Sequence, residues 1–441
     1  MQDLWADFVG EILLTEESGR GGGIRQHRLT EQATLIDLRA WLLLEYLLPY
    51  ATSLGATRIF QRCYWIDALG TTRASVQPMP TPTVNGTKTP SKRGKHKAQT
   101  TTLPPVLQPV AALAQQLARL ARPITLQGFV LDSKSGKRKV GSNGVLASEI
   151  AQATHNGTQA GEVLTIPPEG GLLAATWTEL APALLATLEQ SAAVFLLDPL
   201  KDGLLHYADL APLYQRTAPT ELFLWFSHKL METRLLPSLR TGAGAAALTN
   251  LLRGDRWKSL LTREKDNPNP QSLIDGLIHL CAESMRPHFL SVQRLAFPIH
   301  SGPAHVAQAP YTLLFATRRQ DSLASLNDAL CRRTRRLVIE SQQGVLNEDW
   351  FTNQRTEQIA AAGETLAQET LALGRTQRIR RWPDLRQQLL LAHFGQYSLH
   401  EYDQIITTLL ARGNVRCEWH KRSPETTEMP LPGHGDLLLW R

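Results

Sequence analysis

Residues 195–203 read FLLDPLKDG, an apolar run that stops at the carboxylate of Asp198. Pro199 follows, lacks an N–H and has a fixed φ, so the chain turns there and leaves a carboxylate beside a free carbonyl. A buried strand gains nothing from an acid at its end, whereas a ligand pocket at the mouth of a parallel sheet often uses one. The stretch therefore predicts a buried parallel strand whose end faces a pocket, with Asp198 and Pro199 as the candidate catalytic pair.

Two earlier segments end in the same way. RIFQRCYWID runs to Asp67 and ITLQGFVLD runs to Asp132, and both are rich in residues typical of strands. In a doubly wound sheet, ligands bind outside the carboxyl ends of the strands, and an acid ending the second strand can hydrogen-bond a ribose. Asp67, Gly70 and Asp132 are therefore the candidate cofactor-binding residues, and Gly70 gives the backbone room to turn. One such acid would usually be a turn residue or a helix cap, whereas three in order favour a site.

The remaining segments alternate between strand and helix patterns. Further strands are predicted at Glu162–Pro167, Glu221–His228, Val292–Ile299 and Ala309–Arg318. The last two are expected to pair. Helices are predicted at Leu29–Ala51 (with Thr30 as N-cap), Val106–Ala121, Trp177–Ser191 and Ala208–Arg216. This alternation predicts an α/β fold with a doubly wound, mostly parallel, Rossmann-like sheet.

The C-terminal segment Trp382–Arg441 combines two helices and two short strands. SLHE, residues 398–401, has the spacing of a capping box before the second helix, and Gly413 is a C-cap residue. VRCEWH and DLLLWR can pair, which completes a winged-helix pattern. Positive charge for phosphate contacts would come from eight residues: Arg378, Arg380, Arg381, Arg386, Arg412, Arg416, Lys421 and Arg422. Double-stranded DNA and a protein are both open as partners of this unit, and DNA binding would be weakly sequence-specific.

Composition and missing motifs narrow the function further. The chain has 441 residues and a formal net charge of +7, which is compatible with an anionic partner. Its four cysteines form no CxxC pair and no zinc spacing, and no apolar run is long enough to cross a bilayer. GxGxxG, GxxxxGK[ST] and GxSxG motifs are absent, which disfavours dinucleotide oxidoreductases, P-loop NTPases and α/β-hydrolases. The start, MQDLWADFVGE, lacks a signal peptide's basic residues, so a cytoplasmic location is expected.

The domain organisation follows from changes in composition. Residues 71–105 are rich in Thr, Pro and basic side chains and contain no acid, so they are predicted to be a basic, low-complexity insertion. It is either a tolerated surface loop or a nucleic-acid-binding arm. The predicted domains are an α/β domain (1–336) that carries this insertion, a helical linker (337–381) and a winged-helix-like domain (382–441).

The chain resembles the three-Cys-motif partner proteins, whose fold is that of class I S-adenosylmethionine-dependent methyltransferases. The matching segments come in order over most of the chain. YWIDALG stands where the family has a YIDGFAGPG-like motif, and FLLDPLKDG stands where it has FIDPFG. LLRGDRWKSLL and YTLLFATRRQDSLASLNDAL match its GTDEWR-like and late strand-and-helix segments. The resemblance implies S-adenosylmethionine as cofactor and a three-Cys-motif protein as a possible partner.

Two segments of the chain depart from the family's motifs. Thr71 and Thr72 replace its second and third small residues, and Lys201 stands where base-methylating enzymes place an aromatic side chain that stacks on a flipped base. Two functions follow as alternatives. One is a methyltransferase-like scaffold that binds nucleic acid or a partner, favoured by the insertion and the winged helix. The other is an active methyltransferase acting near Asp198 on nucleic acid or a partner-bound substrate.

Overall fold

A computed structural model describes residues 23–70, 105–133, 170–266, 269–299, 309–342, 348–420 and 430–440. Several predicted features lie outside these residues. They are nearly all of the basic insertion, the strand predicted at Glu162–Pro167, and Lys421 and Arg422 of the predicted DNA-binding set.

The described strands form one large sheet and one small one. Seven strands make the large sheet: β1 (Arg62–Asp67), β2 (Thr125–Leu131), β3 (Gly171–Leu173), β4 (Ala192–Leu197), β5 (Thr220–Ser227), β6 (Ser291–Phe297) and β7 (Tyr311–Thr317). They are ordered β3-β2-β1-β4-β5-β7-β6. Neighbours from β3 to β5 are parallel, whereas β7 is antiparallel to both β5 and β6. The predicted α/β fold with a mostly parallel sheet is confirmed, as is the pairing of the last two strands.

The helices lie on both faces of this sheet. The first face carries α1 (Gly23–Trp41), which continues through a π-helical turn (Leu42–Leu47) into α2 (Leu48–Ala56), then α3 (Gln108–Ala118) and α11 (Gln320–Gln342). The second face carries α4 (Trp177–Leu188), α5 (Tyr207–Gln215), α6 (His228–Leu230), which continues through a π-helical turn (Met231–Leu235) into α7 (Leu236–Arg240), α8 (Ala245–Leu252), α9 (Trp257–Asp266) and α10 (Pro270–Met285). The prediction that Thr30 caps the first helix is wrong, because this helix begins at Gly23 and runs through Thr30.

Strand residues alternate between two hydrophobic cores. Cys63 and Trp65 of β1 pack into the first core, while Tyr64 and Ile66 pack into the second. Successive side chains of a strand point to opposite faces, and here both faces are covered by helices. This explains why the central strands read as continuous apolar runs, and why only their ends can carry an acid.

The C-terminal part of the chain consists of α12 (Glu348–Gln377), α13 (Trp382–Ala392), α14 (Leu399–Ala411), β8 (Val415–Glu418) and β9 (Leu437–Trp440). β8 and β9 pair antiparallel, and the predicted capping box between Ser398 and Glu401 is present at the start of α14. The buried amide of Asn327 on α11 donates to the Tyr397 carbonyl (2.8 Å) and accepts from the Gly395 N–H (2.8 Å). One hydrophobic core joins this unit to α11 and the sheet.

A candidate ligand site at the carboxyl edge of the sheet

Three predicted site acids lie at one edge of the sheet. Asp67 is the last residue of β1, Asp132 directly follows β2, and Asp198 directly follows β4. β1 lies between β2 and β4 and is parallel to both, with Asp67 in register with Val130 and Leu196. Because parallel neighbours end at the same edge, the three acids meet there.

The Asp67 carboxylate is already bound by Arg39 of α1. Nε of Arg39 donates to Oδ2 of Asp67 at 2.5 Å and Nη2 donates to Oδ1 at 3.1 Å, with both residues buried. Nη2 also donates to the Gly70 carbonyl at 2.6 Å, and Oδ1 accepts from the Leu69 N–H at 2.9 Å. The acid therefore fixes the turn after β1 to the helix beneath it.

Gly70 has a positive φ of 80°, a conformation that favours glycine. The space above its Cα is filled by the side chain of Lys201. A methyl group added at residue 70 would collide with Lys201 Nζ, and Asp132 Oδ1 would lie 3.6 Å from it. Nζ donates to the Ala68 carbonyl at 3.1 Å. The ammonium of Lys201 thus lies over the turn that follows β1.

Lys201 is partly buried among carboxylates. Burial lowers the pKa of its ammonium, while the negative charges of Asp202, Asp132, Asp67 and Asp198 oppose this effect. The acids at the strand ends therefore face a cation that the chain itself supplies.

Asp198 has a different environment, because it lines a cavity. Its Oδ1 accepts from the Leu200 N–H at 2.8 Å, and burial raises the pKa of its carboxyl to about 6 against the lowering effects of that N–H and of Lys201. The carbonyl of Pro199 accepts from the Leu205 N–H at 3.0 Å. The expectation that this proline leaves a free carbonyl over the pocket is therefore wrong.

The cavity measures about 440 Å³ and lies between the end of β4 and the amino-terminal ends of α4 and α5. Its polar lining consists of Thr176, Thr178, Asp198, Asp202, His206 and Asp209. Asp67, Gly70 and Asp132 are not part of this lining. Of the three acids that end strands at this edge, Asp198 is the one that lines this cavity.

These residues do not fit S-adenosylmethionine as the resemblance implies it. That cofactor carries an ammonium and a sulfonium besides one carboxylate, so its net charge is positive, and its two cationic groups need acidic partners that are not already neutralised. Arg39 occupies the Asp67 carboxylate, and Lys201 fills the space over Gly70. Two fixed protein cations thus stand where a cationic ligand would bind.

The predicted DNA-binding arginines fall into two groups. Arg386 donates to both carboxylate oxygens of Asp403 (2.9 and 3.0 Å), and Arg412 pairs with Glu364 at 3.2 Å. The second group is exposed, and within the described part of the chain no ion pair joins its members to an acid: Arg378, Arg380, Arg381 and Arg416.

The sequence predicted neither the ion pair of Arg39 with Asp67 nor the position of the Lys201 side chain over Gly70. It also missed Glu221, a fully buried acid on β5 that accepts from the Tyr50 hydroxyl (2.7 Å) and the Ser322 hydroxyl (2.6 Å). Arg39 was detectable as a base directly between the apolar residues Leu38 and Ala40 of α1. Glu221 was detectable as an acid inside a strand that is buried on both faces.

The free energy of unfolding of the variant Glu221→Gln, relative to that of the wild-type protein, is expected to increase as the pH rises. Burial raises the pKa of Glu221 to about 7 from an ordinary value near 4.5, so between these values the folded state holds a proton that the unfolded state has released. Its stabilising contribution is complete below about pH 4.5 and is lost as the pH rises through about 7. Measured by urea unfolding, this relative free energy should be larger at pH 8 than at pH 5 by on the order of 2 kcal/mol. A difference that does not change with pH would contradict this assignment.

No protein-family model, no curated protein and no solved structure matches this chain. Within the described residues, no helix is both long and apolar enough to span a bilayer. The fold and the site together define an α/β protein whose sheet carries acids at its carboxyl edge, with the side chains of Arg39 and Lys201 among them.

Proposed function

We propose that this protein is a three-Cys-motif partner-like scaffold whose methyltransferase-like domain has lost an open cofactor seat, and that its C-terminal unit binds double-stranded DNA. The observation that carries the proposal is the exposed group of arginines beside the small sheet. The methyltransferase-like class is supported by the strand order with a reversed β7, which is the order of the fold that the resemblance implies.

The winged-helix interpretation is supported by how the small sheet is completed. The segment before α13 runs along β9: the Leu438 N–H donates to the Arg380 carbonyl at 2.6 Å, and the Trp440 indole N–H donates to the Ile379 carbonyl at 2.6 Å. The order is then helix, strand-like segment, two helices and a two-stranded wing. Arg380 and Arg381 lie on or next to this strand-like segment, so their exposed side chains extend from a backbone that is hydrogen-bonded to β9.

The same geometry favours contacts with phosphates over contacts with bases. The exposed side chains of α14 include His400 and Gln404, and its sequence contains neither Lys nor Arg. A recognition helix that reads bases usually supplies Arg, Lys, Asn or Gln to the major groove. We therefore expect binding that depends on phosphate charge and varies little with sequence.

The full-length protein is expected to bind a duplex of random sequence with an affinity that falls steeply with salt. Each phosphate neutralised contributes about −0.9 to the slope of log K against log salt, so four arginines predict a slope of roughly −3 to −4. Arg380→Glu with Arg381→Glu should lower the affinity roughly tenfold or more at about 50 mM salt, and equally for all sequences. Fluorescence anisotropy at several salt concentrations measures both quantities.

The matched control is Arg234→Glu with Arg286→Glu, which makes the same change in net charge on exposed arginines of the α/β domain. It should retain most of the affinity. If the control loses as much affinity as the double reversal, net charge and not the C-terminal unit governs binding. If the wild-type protein ignores DNA even at low salt, the unit has a protein partner instead, with the three-Cys-motif protein as the candidate.

The alternative function is an active S-adenosylmethionine-dependent methyltransferase. The cavity beside Asp198 and the three acids at one sheet edge favour this alternative, since a carboxyl with a shifted pKa next to a pocket is a common feature of active sites. Calorimetry with S-adenosylmethionine and S-adenosylhomocysteine separates the two functions. Saturable binding by the wild-type protein would support the enzyme and contradict the loss of the cofactor seat.

A further inference from the structure

The loop that follows β4 crosses the ends of the neighbouring strands. Its turn is held by the Asp198 carboxylate on the Leu200 N–H and by the Pro199 carbonyl on the Leu205 N–H. From this turn Lys201 reaches the Ala68 carbonyl after β1. Asp202 accepts from the Ser133 hydroxyl after β2 at 3.2 Å. The loop is therefore a strap that passes from the end of β4 over the turn after β1 to the end of β2, and Lys201 lies within it.

The ammonium of Lys201 lies in a negatively charged environment. Arg39 pairs with Asp67, and the charges of Asp132, Asp198 and Asp202 act on Lys201 from the strand ends and from its own loop. Carboxylates gathered at a sheet edge repel one another unless a positive charge stands between them. Lys201 supplies such a charge from within the chain, over the turn that follows β1.

We infer that the side chain of Lys201 occupies a ligand seat, which is the space over Gly70, and that this seat favours a ligand that carries an ammonium group. An external ammonium-bearing ligand competes with the side chain of the protein itself. The wild-type seat is closed to such a ligand, and neutralising or shortening Lys201 opens it. This inference does not depend on DNA binding by the C-terminal unit.

The direct test is calorimetry of the full-length protein with S-adenosylmethionine and S-adenosylhomocysteine as ammonium-bearing probes. Lys201→Ala should bind at least one probe tenfold or more tightly than the wild-type protein. Lys201→Gln, which keeps most of the length of the side chain without its charge, should show a smaller gain. Lys229→Ala removes an exposed lysine from α6 and should behave as wild type. Wild-type binding as tight as that of Lys201→Ala would overturn the inference, and so would a folded Lys201→Ala variant without any gain.

A second measurement uses the wild-type protein, so it holds even if the Lys201 variants do not fold. Acetylation by a water-soluble amine-reactive ester, followed by mass spectrometry, reports how accessible each lysine is. Lys201 is held on the Ala68 carbonyl among carboxylates, whereas Lys229 is exposed. We expect Lys201 to react at least tenfold more slowly than Lys229. Equal rates would show that its ammonium is not held in the seat and would overturn the inference.

Discussion

Arg39→Met is expected to lower the free energy of unfolding by about 3 to 5 kcal/mol at neutral pH. The substitution leaves the Asp67 carboxylate buried without its guanidinium and removes a donor from the Gly70 carbonyl. Breaking a buried pair by deleting one partner is costly because the remaining charge stays out of water. Urea unfolding followed by circular dichroism measures the change.

Two matched variants distinguish this explanation from a loss of packing. Arg39→Met combined with Asp67→Asn removes both charges and should recover a large part of the lost stability. Arg412→Ala breaks an exposed pair with Glu364 and should cost less than about 1 kcal/mol. If the double variant is as unstable as Arg39→Met alone, the side chain of Arg39 stabilises the fold through its packing and not through the ion pair.

Trp382→Ala is expected to cost about 3 to 5 kcal/mol, because a buried aromatic side chain is lost and a cavity remains. Trp382 begins α13, is 1% exposed, and donates its indole N–H to Asp403 at 3.0 Å. It belongs to the core that also contains Leu326 of α11 and Trp65 of β1. Since one core joins these parts, the loss should appear in a single unfolding transition of the whole chain.

The control lies on the same helix. Leu391→Ala removes an apolar side chain that is 39% exposed and should cost far less. Near- and far-ultraviolet circular dichroism should give coincident transitions for the wild-type protein and for both variants. Separate transitions would instead show that the C-terminal unit is an independent domain, as the predicted boundary at residue 382 proposes.

The sheet edge also explains why fold and function need not agree in this chain. A doubly wound sheet brings the ends of β1, β2 and β4 together whatever follows them, so an acid at each end makes a candidate site. Whether that site accepts a ligand depends on the side chains that reach it from elsewhere. Here Arg39 and Lys201 reach it, and both are cations. The fold alone therefore does not decide the activity.

Six of the seven strands of the large sheet were predictable from the sequence itself, because apolar periodicity and turn residues act over a few positions. FLLDPLKDG and its two counterparts predicted buried strands that end on acids, and the parallel pairing of those strands explains why the acids meet. The capping box of Ser398 and Glu401 was equally local, since its two residues are three positions apart.

Only the tertiary structure decided what surrounds those acids. Arg39 is 28 positions from Asp67, and Lys201 is 133 positions from the Ala68 carbonyl that it binds. No local pattern relates residues at such separations, because their distance in space depends on how helices pack on the sheet and where each loop returns. The sequence predicted an acid at the end of each of three strands, but only the packing of the chain brought the cations Arg39 and Lys201 to that edge.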